Sequence, residues 1–335
     1  MRNLFNLGLV AILVLCSGVP AWSQGDERAK LIEAAKKEGK LVWYTSTNVT
    51  ESKPLLDDFE KAYGIKGEIF RASGEKTLNR IVTEGRAGRF DYDVVTISEV
   101  DALTDAKLLM SYRSPEARTF IPEFKDANGY WTAVYVNYAT IGYNTKLVSE
   151  KDAPKQWEDL LDPKWKSKIS IDQEQYSWFG TLHKAWGRER TQRFMRAMAK
   201  QDIQWRKGHT LIAQLMSAGE FPLGVVYAHR TEEMKMRGAP IEWVNTVNPL
   251  VVTLNSAGIS NKPQHPNTAR LFVDFLLSKP AQQRLRSLRR IPARPDIEPF
   301  SPRMDQSKLK LVTNPVETGA QFNASIKDFR ENFGL

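Results

Sequence analysis

Apolar residues in this chain gather in short continuous runs, and the stretches between them repeat their apolar positions every three to four residues. Leu41-Val42-Trp43-Tyr44 is the first run, residues 93–97 hold another and Gly224-Val225-Val226-Tyr227 a third. Short continuous runs of this kind suit strands buried on both faces of a parallel sheet. Between the early runs, Leu31, Ile32 and Ala35 predict a helix that stops at Gly39. Leu55, Leu56, Phe59 and Tyr63 predict a second, ending at Gly64, and Leu78, Ile81 and Val82 a third, ending near Gly88. A strand over 67–70 fits between the second and third helices, and a further helix runs through Leu103. Helix and strand alternating at short spacing predict an α/β layer with helices on both faces of a mostly parallel sheet. Ligands of such sheets collect beyond the carboxyl ends of the strands. The polar loops over 45–48 and 71–74, and Ser98, occupy that position here.

The middle of the chain changes pattern. Residues 131–144 are aromatic and β-branched, which predicts one or two long strands. Residues 156–161 and 177–186 read as helices, residues 169–172 and 242–244 as strands, and a helix begins at Gly208-His209-Thr210. An apolar sheet pattern returns over 251–254 and 257–259. His265-Pro266-Asn267 opens a helix that buries Leu271, Phe272, Phe275 and Leu276, and Pro280 starts another through Leu288. Residues 292–302 are proline-rich and read as an extended connector, with one or two surface helices after them.

The start of the chain is different again. Arg2 is followed by an apolar run over residues 7–16, then by Pro20 and by Ala21-Trp22-Ser23, which fits a cleavage site before Gln24. This is the layout of a secretory signal peptide over residues 1–23, and its run is shorter than the roughly 20 residues of a membrane span. Cys16 raises lipidation as an alternative, although Leu15 occupies a position where lipoprotein processing favours a small residue. Cys16 is the only cysteine of the 335 residues, so the processed protein is expected to have no disulfide and no thiolate metal site. The formal charge of +9 is spread among acids, and no nucleic-acid-binding motif appears, so a nucleic-acid partner is not expected. The charge describes either a lysine-rich soluble surface or a field favouring anionic ligands. A hydrolase finds little support, because the chain has no Gly-x-Ser-x-Gly elbow and no His-Glu-x-x-His motif. The adjacent acids Asp57-Asp58 and Glu232-Glu233 point different ways on a helix and read as solvated surface. No catalytic residue and no cofactor is assigned.

Several segments in order resemble one family. They are Leu41-Val42-Trp43-Tyr44-Thr45-Ser46, the aromatic-Asp-x-Asp-Val-Val run over 90–95, Ile141-Gly142-Tyr143-Asn144, the stretch from Trp157 to Trp165, Ala218-Gly219-Glu220, and His265-Pro266-Asn267 leading to Phe275-Leu276-Leu277-Ser278. Together the chain resembles the periplasmic binding proteins of the ferric-iron-binding type, among the extracellular solute-binding proteins. The resemblance implies a two-lobed α/β fold, the type II periplasmic-binding-protein fold, with a ligand cleft that closes by hinge motion. It further implies a periplasmic monomer that carries a small molecule to the permease of an ABC transporter. On this expectation lobe 1 holds residues 25–133 plus about 249–300 and lobe 2 holds 134–248, with the tail over 301–335 packed on lobe 2. The hinges fall near 134–137 and 246–251.

Ferric-binding members of the family use paired adjacent tyrosines, whereas the matching strand here ends Val225-Val226-Tyr227-Ala228-His229, with one. A single phenolate suits a trivalent cation poorly; if iron binds, Tyr227 is its candidate ligand. A small anion (a phosphate ester, phosphonate or carboxylate) fits the loops better, because helix starts offer free N–H groups and a positive dipole end. Candidate ligand residues are Ser46, Thr47, Arg71, Ser73, Gly74 and Ser98 from one side, and Tyr176, Ser177, Trp178, His209, Thr210 and Tyr227 from the other. Ser73, Ser177 and Thr210 serve equally well as helix caps. Arg71 offers a bidentate contact, and Tyr176 and Trp178 offer rings to stack on a sugar or aromatic group. His209 is singled out because sugar-phosphate-binding relatives use a histidine in the corresponding loop. A ligand sensor for a receptor kinase shares all of these features.

Overall fold

The computed structural model describes residues 22–314 and 317–335. The expected leader, with Cys16, lies outside the described residues except for Trp22 and Ser23, which open the first helix. That helix, α1 (Trp22–Glu38), stops at Gly39, whose φ of 68° is left-handed and carries no Cβ penalty only for glycine. Strand β1 (Lys40–Thr45), helix α2 (Val49–Tyr63), strand β2 (Lys66–Arg71), helix α3 (Gly74–Arg86) and strand β3 (Val94–Ile97) alternate next. The short helix α4 (Val100–Asp105) and strand β4 (Leu109–Met110) follow.

Strand β5 (Trp131–Asn144) is unbroken, and all 14 of its residues are buried. Cover on both faces explains why its sequence carries aromatic and branched residues with little strict alternation. At this length it extends roughly 45 Å. Strand β6 (Ile169–Asp172), helices α5 (Tyr176–Trp186) and α6 (Arg188–Ala199), strand β7 (Gln204–Arg206), helix α7 (His209–Ala218), strand β8 (Leu223–Tyr227), helix α8 (Ala228–Met236) and strand β9 (Ile241–Trp243) follow. The second long strand, β10 (Leu250–Ser260), joins the two apolar stretches around 251–259 into one element, with a register shift between Asn255 and Ser256. The chain closes with α9 (Pro266–Leu277), α10 (Lys279–Ser287), β11 (Ile291–Pro292), β12 (Leu311–Thr313) and α11 (Gly319–Phe333). The segment over 157–161 is a 3-10 turn rather than an α-helix.

The sheet runs β2-β1-β3-β10-β5-β8-β6-β7. Two parallel triplets, β2-β1-β3 with its β10 edge antiparallel and β8-β6-β7 with its β5 edge antiparallel, flank the central antiparallel pair β10/β5. The sheet is therefore mixed, parallel within each triplet and at the short β10/β12 pair and antiparallel at its other pairings. Both triplets send their strand ends, Thr45, Arg71 and Ile97 on one side and Asp172, Arg206 and Tyr227 on the other, toward one shared space. Beneath the first triplet, Trp43 meets Phe272 edge-on at 5.0 Å, and Phe59 meets the same ring at 5.0 Å. Beside the second, Trp157 packs on Trp178 at 5.2 Å and donates through Nε1 to the carbonyl of Pro249, 2.8 Å away. Helix α11 rests its buried Phe329 on Tyr176 and Phe179, and its first residue, Gly319, donates to Asp105 Oδ2 at the end of α4. It thus touches elements of both triplets.

Candidate functional site

Where the two sets of strand ends meet, the structure encloses a cavity of about 640 Å³. Helices α2, α3, α4, α5, α7 and α8 begin at its wall, because each follows the loop after a strand end. Asn48, Ser73, Glu99, Tyr176, Gly208 and Tyr227 mark those starts. Free N–H groups and positive dipole ends therefore converge on one space. Gly208 has a φ of 107°, which only glycine adopts readily, and its N–H is held by Asp172 Oδ2 at 2.8 Å. This pins the loop that presents His209 and Thr210.

The floor is built by the two central strands. From β5 come Tyr135 and Asn137, and from β10 comes Asn255, which donates through Nδ2 to Ser46 Oγ at 3.0 Å. Across the floor lies Arg290, immediately before β11. Its guanidinium stacks 4.6 Å over the Tyr135 ring and donates to Asn137 Oδ1 at 3.0 Å, to His229 Nε2 at 3.0 Å and to Glu51 Oε2 at 3.1 Å. Arg230 donates to the other oxygen of Glu51 and to Glu233 at 2.8 Å. Two buried guanidinium groups therefore share Glu51. Burial alone would raise the Glu51 carboxyl, but Arg290 and Arg230 outweigh it and hold it below the usual range. The Nε atoms of Arg290 and Arg230 are enclosed with no hydrogen-bond partner among the described residues.

One wall is an aromatic ladder. His209 lies 3.7 Å from Tyr227, ring to ring, and Tyr227 stacks on His229 at 5.8 Å. Burial pushes the Tyr227 phenol upward, with Asp172 adding to the rise. Burial lowers both histidines: Asp172 partly opposes the shift at His209, whereas Arg290 and Arg230 drive His229 well below its ordinary value. The opposite wall carries acids. Glu99 has Oε2 enclosed with no partner among the described residues, and burial raises its carboxyl to about 7, with Glu174 and Glu75 adding to the shift. A Cβ on Gly74 would lie 2.2 Å from that oxygen, so glycine is what lets α3 start beside Glu99.

Of the candidate residues, Ser46, Arg71, Ser73, Gly74, Ser98, Tyr176, His209, Thr210 and Tyr227 line the cavity. Three do not. Thr47 is buried behind the wall, its hydroxyl 3.2 Å from that of Tyr135. Ser177 borders a separate small recess beside Phe322, and its carbonyl accepts from Thr181. Trp178 is fully buried between Trp157 and Phe194. Helix α5 starts at Tyr176, and successive helical side chains diverge by about 100°, so a wall that takes Tyr176 turns the next two residues away. Ser73 and Arg71 are also engaged locally: Ser73 Oγ accepts from Lys76 N at 3.4 Å, and Arg71 donates to Asn48 Oδ1 at 3.0 Å. The residues the sequence did not disclose are Arg290, Arg230, Glu51, Asn137, Tyr135, Asn255, Asp172 and Glu99. Glu51 lies in the first turn of α2, and Arg290 follows the basic helix α10, so neither position carries a local signal of the site. Among the described residues, no group of three or more His, Cys, Asp and Glu is arranged to hold a metal ion.

Residues 112–322 match the family of bacterial extracellular solute-binding proteins. The chain is 24% identical over 310 residues to the putative 2-aminoethylphosphonate-binding periplasmic protein of Salmonella typhi, covering 89% of this chain and 87% of the relative. It is 23% identical over 267 residues to the Fe(3+)-binding periplasmic protein of Serratia marcescens, covering 76% of this chain and 78% of that one. Among solved structures, it superposes on the periplasmic binding protein AfuA from Actinobacillus pleuropneumoniae, determined with exogenous fructose-6-phosphate bound. The TM-score is 0.81 at 25% identity, over 89% of this chain and 99% of AfuA.

Proposed function

The chain belongs to the family of bacterial extracellular solute-binding proteins, periplasmic components that supply ABC transporters, and from that premise we propose that its cleft captures a small organic anion. The fold is the two-lobed α/β fold of the type II periplasmic binding proteins. The observation that carries the proposal is the pair of buried guanidinium groups, Arg290 and Arg230, that line the cavity and share Glu51 at its floor. A phosphate, phosphonate or carboxylate supplies planar or tripodal acceptors for such donors, and the converging helix starts add to the same field. His209, Thr210, Ser46 and Ser98 then contact the body of the solute. Turnover plays no part in this proposal; the ligand binds, is enclosed and is released to the permease.

We assign residues 25–133 with about 249–300 to one lobe and 134–248 to the other, with β5 and β10 as the crossing strands that flex. On this assignment helix α11 touches both lobes, through Asp105 and through Tyr176. A ferric cargo fits this cavity less well. Hard trivalent cations take anionic oxygen donors, whereas burial makes the phenols of Tyr227 and Tyr135 harder to ionise; Arg290 over the Tyr135 ring opposes that rise only in part and itself repels a cation.

A thermal-shift screen tests the proposal. Fructose 6-phosphate, 2-aminoethylphosphonate, ethylphosphonate, small carboxylates, and ferric salts with and without citrate are offered to the protein at neutral pH. A ligand that binds only the folded state raises the melting temperature by mass action. An organic anion is expected to raise it and iron alone to leave it unchanged. A shift with iron alone, or with citrate only when iron is present, would overturn the proposal.

A further inference from the structure

We infer that the solute is a zwitterion whose ammonium group docks on Glu99, across the cavity from the arginines. This deepens the anion proposal and rests on it. The cavity has two chemically different ends. The floor gathers Arg290 and Arg230, whereas Glu99, Glu75, Glu174 and Asp172 line the side where α3 and α4 face the loops after β6 and β7.

Most of these acids are already satisfied. Glu75 accepts from Arg330 at 3.1 Å, and Glu174 pairs with Lys207 at 2.7 Å. Asp172 accepts the backbone N–H groups of Gly208 and Glu174, both at 2.8 Å. Glu99 differs, because its Oε2 is enclosed without a partner among the described residues. The cations on the rim do not reach it: Arg71 is held by Asn48, and exposed Lys76 makes no ion pair among the described residues.

A buried carboxyl beside two others takes up either a proton or a cation, and a hydroxyl from a neutral polyol supplies no charge. An ammonium supplies both the missing donor and the missing charge. The raised carboxyl, near 7, has a measurable consequence. In the empty cleft Glu99 therefore takes up a proton more readily than an ordinary carboxyl, and a docked ammonium displaces that proton to solvent.

Two phosphonates that differ only by an ammonium provide the probe. Titration calorimetry with 2-aminoethylphosphonate and ethylphosphonate is expected to show the former binding at least tenfold more tightly to the unaltered protein. In Glu99→Gln the advantage should fall below about threefold. The proton release on binding 2-aminoethylphosphonate, measured in buffers of different ionisation enthalpy, should be smaller in the same variant, the remainder coming from the phosphonate's own second ionisation. The comparison of the two phosphonates on the unaltered protein decides the matter even if the variant does not fold. Equal affinities, an advantage that survives Glu99→Gln, or tight binding of fructose 6-phosphate with neither phosphonate would each overturn the zwitterion while leaving the anion proposal standing. If none of the three binds and no small carboxylate raises the melting temperature, the anion proposal falls as well.

Discussion

Replacing His229 with glutamine should flatten the loss of stability that this protein suffers in mild acid. The imidazole is fully buried, and its Nε2 lies 3.0 Å from Arg290 Nη1. A guanidinium only donates, so Nε2 must be the acceptor and the ring must be neutral. Protonating it would break that bond and set a third cation beside Arg290 and Arg230. Burial and those two arginines accordingly hold its pKa well below 6.5 in the folded state. An unfolded chain takes up the proton near 6.5. Stability from the neutral ring is thus fully present above that pH and is lost as pH falls below it, at about 1.4 kcal/mol per unit. By pH 5 the loss amounts to about 2 kcal/mol. Glu51 has the same sign, but its window lies below the ordinary carboxyl value of 4.5. Glu99, raised to about 7, has the opposite sign and gains stability as pH falls through that value. Both are common to the two proteins and cancel in the difference. A glutamine carbonyl can still accept from Arg290 and cannot titrate. Urea unfolding at pH 7 and pH 5 should show the unaltered protein losing about 2 kcal/mol more than His229→Gln. Equal losses in the two proteins would refute the tautomer and charge assignment.

Two further outcomes follow from the same geometry. Arg330 of α11 donates to Glu75 at 3.1 Å and to the Tyr176 hydroxyl at 2.9 Å, joining opposite walls of the cavity at its rim. The arginine side chain is 45% exposed, so the tie is worth at most about 1 kcal/mol. Arg330→Ala should therefore speed release of the anion identified in the screen by about two- to fivefold in stopped-flow measurements, with the melting temperature nearly unchanged; an unaltered release rate would exclude the tie. Trp178→Ala should cost about 3–5 kcal/mol in urea unfolding because it empties the contact with Trp157 and Phe194, whereas Trp178→Phe should keep ligand affinity within about twofold by calorimetry. A large affinity loss in Trp178→Phe would return that ring to the site.

Much of the architecture could be read from the chain because its signals are local. Leu41-Val42-Trp43-Tyr44 and Gly224-Val225-Val226-Tyr227 are continuous apolar runs, and burial on both faces of a parallel triplet requires that pattern. Loops at strand ends follow from topology, which is why the order of apolar runs and helices suffices to bring Ser46, Ser73, Ser98 and His209 to the cavity. What escaped was short or rotational. Strand β12 has three residues, too few to show a period, and is defined only by its pairing with Leu250, Val251 and Val252. Helix α5 begins one residue earlier than its pattern suggests. Two helical steps, about 200° of rotation, separate Tyr176 in the cavity wall from Trp178 in the core.

The sign of the cavity was the harder problem, and it shows why net charge is a poor guide to a ligand. A formal charge of +9 is compatible with any solute, because most of its lysines and arginines are paired or solvated. Selectivity depends on which buried groups lack partners, and that is decided over long separations. Glu51 and Arg290 stand 239 positions apart. They meet because β11 adds Ile291 and Pro292 to the edge of β5, opposite Val136 and Tyr135, and so carries the preceding arginine onto the floor. The tyrosine count depends on the same fact. Adjacent tyrosines are absent from β8, yet Tyr135 of β5 reaches the cavity that holds Tyr227. Counting phenols alone would restore the case for iron. The guanidinium stacked on Tyr135 argues the other way, since its positive charge opposes a trivalent cation at the place where a second phenolate would be needed. Thus the same guanidinium that repels a trivalent cation is, under the proposed function, the group that receives the anion.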